Sequence, residues 1–350
     1  MSSPPINDCP LPGHILLLLL PNREFGLHIP IQDALQLCTR PLKYLRYLAW
    51  VVLHLEGKIT CNSVEVDEEK GTFEDQQTYR FEPGPLRSWD DARPINAEIA
   101  DRRSSSATNS SRLHEFADNL RERDISCVFT GYTFAEAMHI VPFSKGNEWL
   151  ERLVGGRFPG RSTNEGEDLG ELDINHVSNG FLTFSGIHMC TDRRVAAVIV
   201  TPNRVLSCDD IPPSLPRLFE RPTGIEYPTG IRYTFQWLHA TGRSNDELRA
   251  VPNNSDAAFN SASEQRRPSP FLLECMYAAT VVKFWGLHPD RLRMHPKFIS
   301  APPRKSRPSL GFKPTRSSDR SITIGKPNRF RQNSAGAMGV DMSILMTTAR

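Results

Sequence analysis

The chain lacks any apolar run near the roughly 18–20 residues that a membrane-spanning helix needs. Its longest candidates, His14–Pro21 and Tyr47–Leu55, are short and bounded by polar residues or proline. No membrane partner is expected. No basic start precedes the first of them, so a secretory leader is not expected either. The reading is an intracellular chain, nuclear or cytoplasmic and not secreted. Cysteine is sparse as well: seven residues, odd in number, scattered and nowhere spaced CxxC. That pattern excludes a disulfide framework and argues against a Cys-rich zinc knuckle, leaving Cys127 and Cys190 as buried thiols. No internal repeat is present, which excludes solenoids and propellers.

An excess of one charge is also missing, since 42 Lys and Arg face 40 Asp and Glu. The balance hides an asymmetry. Residues 301–350 carry ten bases against two acids, +8, and the other 300 residues carry 32 against 38, −6. A mildly acidic body with a basic tail follows, the tail expected to be disordered. What the chain does have is length and core: 350 residues, 39% apolar, enough for two or three units.

Punctuation divides the chain. Residues 1–84 read as a mixed α/β module: a strand at His14–Leu20, a helix at Pro41–Glu56 and a hairpin from Lys58–Val66 and Thr72–Phe81. Pro41 opens that helix and Gly57 is expected to close it, with Leu42, Leu45, Ala49, Val52 and Leu53 on one apolar face. Residues 85–112, rich in Pro, Asp, Arg and Ser, read as a flexible linker. A helix at Leu113–Arg123 leads into a segment extending to residue 212. Residues 213–300 contain a helix at 270–285, with Ser269 as N-cap and Gly286 at the exit.

The chemistry is concentrated between Cys127 and Asp210. Four ordered blocks stand out: Cys127-Val-Phe-Thr-Gly131, Met138-His-Ile-Val-Pro-Phe-Ser-Lys-Gly146, Asp173-Ile-Asn-His-Val-Ser-Asn-Gly180 and Thr201-Pro-Asn203. Cys127–Thr130 and His139–Val141 are β-compatible, Asn179-Gly180 is a turn signal and Ser185–Arg194 reads as a short helix. His139, Asn179 and His188 then fall in order on a strand, a loop and a helix.

These blocks resemble those of a fungal HNH-endonuclease domain family, and the resemblance extends over about residues 15–290. It implies an α+β protein with a central ββα-metal finger and a metal-dependent endonuclease acting on nucleic acid, with DNA as substrate. By the same resemblance, His139 is the general base and Asn179 pins the catalytic loop. His188 and Asp192, four residues apart on a helix, bind a divalent ion, Mg or Mn. Lys145 and Arg193 are candidate phosphate contacts, with Arg152, Arg157 and Arg194 as further basic residues nearby. His176 and Asp173 are subsidiary ligand candidates.

One departure sets up an alternative. Many HNH nucleases carry a carboxylate or histidine immediately before the general base, where this chain has Met138, a soft thioether poorly suited to magnesium. The alternative is a catalytically degenerate HNH domain that binds nucleic acid or protein.

Overall fold

The computed structural model describes residues 10–21, 24–100, 110–158, 173–214, 219–220, 222–239, 251–260, 267–300 and 302. In chain order, the first elements are β1 (His14–Leu18), β2 (Gly26–Pro30), α1 (Ile31–Leu37), α2 (Pro41–Leu53), β3 (Gly57–Cys61), β4 (Val64–Glu65) and β5 (Thr78–Pro83). The central elements are α3 (Ser110–Asp124), β6 (Glu136–His139), α4 (Gly146–Arg157), β7 (Gly180–Thr183), α5 (Ser185–Asp192) and β8 (Ala196–Thr201). Then come β9 (Ile225–Glu226), β10 (Arg232–Trp237), β11 (Ser255–Asp256), β12 (Phe259–Asn260), α6 (Pro270–Trp285) and β13 (Gly286–Leu287). Helices and strands are thus mixed, as an α+β class requires.

The apolar run of β1 is buried on both faces because it lies inside a six-stranded sheet of order β13-β2-β1-β5-β3-β4. It pairs antiparallel with β2 and parallel with β5. α2 begins at Pro41 but stops at Leu53, short of the Gly57 expected to end it. The terminator is His54, whose backbone is left-handed (φ 50°) and whose N–H returns to the Trp50 carbonyl at 2.6 Å. α6 follows the expected signals: the Ser269 hydroxyl accepts from the Leu272 N–H, and Gly286 leaves the helix.

α2 and α6 join the two ends of the chain. Tyr44 and Tyr277 share a buried hydroxyl–hydroxyl bond of 2.6 Å, and the Tyr277 hydroxyl donates to Gln236 of β10 at 2.7 Å. β13 adds itself to β2, so the N- and C-terminal segments complete one sheet. The stretch 85–100, read from composition as linker, is ordered instead. Two 3-10 turns, Trp89–Asp91 and Ala97–Ala100, press Ile95, Ile99 and Ala100 into the same core as β1 and α2. Residues 101–109 of that linker lie outside the described residues, as does the basic tail apart from Pro302. The described residues between Pro10 and Pro302 belong to one compact unit.

His54 also carries a pH prediction. Burial, then the positive charges of Arg157, Arg93 and Arg204, push its pKa down to about 3. The unfolded chain therefore binds a proton between about pH 3 and 6.5 that the folded chain refuses, so stability rises with pH through that window. Urea titrations at several pH values should give the wild type a slope approaching about 1.4 kcal/mol per pH unit below pH 6 from this group. In His54→Asn, which tolerates the left-handed backbone, that contribution should vanish. Equal pH slopes in the two proteins would show that His54 titrates normally.

Candidate functional site

β6 and β7 form an antiparallel pair in which Glu136, Ala137, Met138 and His139 face Thr183, Leu182, Phe181 and Gly180. α5 follows directly, giving strand, strand and helix in chain order. The start differs from the sequence reading: Cys127–Thr130 is a turn and not a strand. It is closed by the Gly131 N–H to the Cys127 carbonyl and by the Cys127 N–H to the Tyr132 carbonyl, both at 2.8 Å. The first strand lies at Glu136–His139, ahead of the His139–Val141 expected.

Asn179 bridges two stretches of chain. Fully buried, it accepts the Val141 N–H at 2.8 Å and donates its amide to the Val141 and Ile174 carbonyls at 3.1 and 2.8 Å. Gly180 is not a turn residue: its backbone is extended and opens β7. The glycine is required by packing, since a Cβ there would lie 2.5 Å from the Phe116 ring and from the Met138 carbonyl.

Alternation along β6 separates its side chains onto two faces. Ala137 joins Phe116 and Leu120 of α3, with Val177 and Leu182. His139 shares that face, its ring lying flat on Phe116 at 3.8 Å and its Nε2 3.2 Å from Asn175 Oδ1. Met138 points the other way and is packed in the main core with Phe181 and with Ile187 and Cys190 of α5. Glu136 shares this second face and meets His188 of α5. His139 and His188 therefore lie on opposite faces of the β6–β7 ribbon. Strand alternation over the three positions from Glu136 to His139 divides them.

The surroundings of His188 are chemically specific. Its Nδ1 lies 3.0 Å from Glu136 Oε2, and a carboxylate oxygen accepts, so Nδ1–H donates. Nε2, on the far side of the ring, is buried, makes no hydrogen bond, and lies 3.7 Å from Asp192 Oδ2 one helical turn on. A carboxylate behind an imidazole with the far nitrogen presented is how proteins orient a metal-binding histidine. Glu136 was not legible as part of a site, because only the strand pairing and the crossing of α5 bring it there.

The remaining candidates divide between structure and surface. Lys145 gives its ammonium to the Glu98 carbonyl and rests over the Trp149 ring, so the structure uses it as a brace. Arg193 caps the C-terminus of α5 and is exposed. Arg152 pairs with Glu148, Arg194 donates to the Ala97 carbonyl, and Arg157 is buried. His176 Nδ1 engages Ser178, and Asp173 accepts the Asn175 N–H. Both line a cleft of about 440 Å³ with Phe116 and Asn175, the two residues that hold His139. Cys127 and Cys190 are buried thiols.

Residues 127–199 match the family model described as HNH endonuclease, which supports an HNH assignment for this segment and links it to nucleic-acid cleavage. No curated protein and no solved structure matches the chain. HNH nucleases generally use divalent metal ions. Among the described residues, no three His, Cys, Asp or Glu side chains are grouped to hold one. A four-ligand zinc site is therefore not built among the described residues. The buried Nε2 of His188 and, 3.7 Å away, Asp192 Oδ2 offer one nitrogen and one oxygen donor, a mixed pair of the kind divalent metal ions accept. No helix among the described residues is long and apolar enough to cross a membrane.

Proposed function

We propose that the segment 127–199 hydrolyses nucleic-acid phosphodiester bonds, DNA being the substrate, as a divalent-metal-dependent HNH endonuclease. The observation that carries this is the buried, hydrogen-bond-free Nε2 of His188, oriented by Glu136. His188 and Asp192 would hold Mg or Mn, whose chemistry there is to neutralise the phosphate and the departing oxygen. His139 takes the proton from the attacking water, a role suited to an imidazole near neutral pH. Because the two histidines occupy opposite faces, the phosphate must lie at the outer edge of β6. Among the described residues that edge has no paired strand. Asn179 holds the loop that follows His139, and Arg193 offers a phosphate contact at the end of α5.

The test is metal-dependent nicking of plasmid DNA, with ion binding followed separately. Mn binding by calorimetry should be lost, at least tenfold, in His188→Ala and retained in His139→Ala. Unchanged affinity in His188→Ala would remove His188 from the metal site.

A second reading is a binding module without hydrolysis. Met138, buried and 1% exposed, supplies no ligand beside His139, and His139 itself is only 9% exposed. This reading expects salt-sensitive nucleic-acid binding with no nicking under any divalent ion.

A further inference from the structure

Away from the β6–β7 ribbon, a cleft of about 650 Å³ opens where the ends of α2 and α4, the turn after β8 and the start of α6 meet. Four guanidinium groups line it: Arg87, Arg93, Arg157 and Arg204. Arg204 is neutralised by Glu56. Among the described residues, the other three have no carboxylate at ion-pair distance. Asp91 and Glu274 also line the cleft, Asp91 lying 3.6 Å from Lys297.

Arg157 is the informative member. It is 3% exposed, donates from Nη1 and Nη2 to the Val51 and Val52 carbonyls at 3.0 and 3.3 Å, and leaves Nε without a hydrogen-bond partner. Closing the end of α2 accounts for the Nη atoms. It does not account for Nε, nor for Arg87, whose exposed side chain makes no hydrogen bond among the described residues. Arg157 is a buried cation with only the longer-range attraction of Glu274 to offset its burial, and an anion in the cleft would relieve that cost. The pKa of His54, depressed first by burial, is lowered further by the positive charges of Arg157, Arg93 and Arg204.

The rest of the lining suggests what accompanies the anion. Trp50 and Phe158 flank His54 at 5.7 and 5.1 Å between ring centroids, and Phe271 lies 5.1 Å from Phe158. Pro270 and Phe271, in the first turn of the sixteen-residue α6, bring the positive end of its dipole to the cleft. The volume lies within the few hundred to about 1,000 Å³ typical of small-molecule sites.

We propose that this cleft binds a nucleoside phosphate, with the phosphate on Arg87, Arg93 and Arg157 and the flat base against the aromatic rings. The ligand would be a free mononucleotide or the phosphorylated terminal nucleotide of a strand. The proposal is independent of the hydrolytic reading.

Calorimetry on the full chain in EDTA, where no cleavage occurs, tests it. The probes are inorganic phosphate, AMP, and one short oligonucleotide with and without a 5′-phosphate. AMP should bind more tightly than phosphate, and Arg87→Ala and Arg93→Gln should each weaken it about tenfold. Arg87→Ala should leave the thermal melt unchanged, so its effect reads binding and not folding. A phosphorylated oligonucleotide that outbinds AMP, where its unphosphorylated form does not bind, assigns the strand end; parity with AMP assigns the free nucleotide. No saturable binding of any phosphorylated probe at millimolar concentration would overturn the proposal. So would equal affinities for phosphate and AMP, or AMP binding unmoved in both arginine variants.

Discussion

His139→Ala is expected to lower metal-dependent nicking of DNA by about 10²- to 10⁴-fold, the usual contribution of a positioned general base. The imidazole is held on two sides, flat against Phe116 at 3.8 Å and by Asn175 at 3.2 Å from Nε2, so its orientation is fixed before substrate arrives. Fixing it in advance removes a rotational cost at the moment of proton transfer. The same burial makes a structural contribution, because the ring covers one face of Phe116. Two measurements separate the roles. Ion affinity should not change, since His139 lies across the ribbon from His188, and urea unfolding should report the packing loss separately from the nicking rate. A variant that loses both ion binding and stability would show that the ring acts only as packing. Full activity in the variant would place the base elsewhere, and the β6 edge would lose its claim as the reaction site.

Much of the frame was legible in the chain because local signals act locally. Pro41, Ser269 and Gly286 mark helix ends through backbone chemistry that no distant contact overrides, and α2 and α6 follow. The pairing of His188 with Asp192 is likewise helical spacing, and it holds at 3.7 Å. The failures are of the opposite kind. Residues 85–100 look like linker because Pro, Asp and Arg dominate, yet Ile95 and Ile99 are both buried, and they have a core only when the sheet and α2 are present. The face that His139 takes depends on register, which sequence spacing does not contain. Gly180 reads as a turn and is in fact the space beneath Phe116, a constraint imposed from α3. Glu136 and Asn175, which orient the two histidines, reach them only through pairing and loop closure.

The largest stability effect should come from Arg123, which sequence reading leaves as a basic residue at a helix end. It is buried with its neighbour Asp124, Nε and Nη2 donating to the two carboxylate oxygens at 2.6 and 2.8 Å. Nη1 and Nη2 also donate to the Val177 and Gly180 carbonyls at 2.9 and 2.8 Å, and Asp124 Oδ2 accepts the Leu182 N–H at 2.8 Å. The guanidinium further lies 5.6 Å from the Phe259 ring centroid. One pair thus ties α3 to both sides of Asn179, to β7 and to β12. Arg123→Met leaves a carboxylate buried without its counter-charge and should cost about 3–5 kcal/mol in urea unfolding. Adding Asp124→Leu removes that charge, yet recovery should be incomplete. The Gly180 carbonyl and the Leu182 N–H then lose their partners, each worth about 1–3 kcal/mol when buried unsatisfied, while the Val177 carbonyl keeps the Gly180 N–H. A simple ion pair would predict near-complete rescue by the double substitution. A loss under about 1 kcal/mol in Arg123→Met would mean that water reaches the pair, and the loop carrying Asn179 would then have to be held by Asn179 alone.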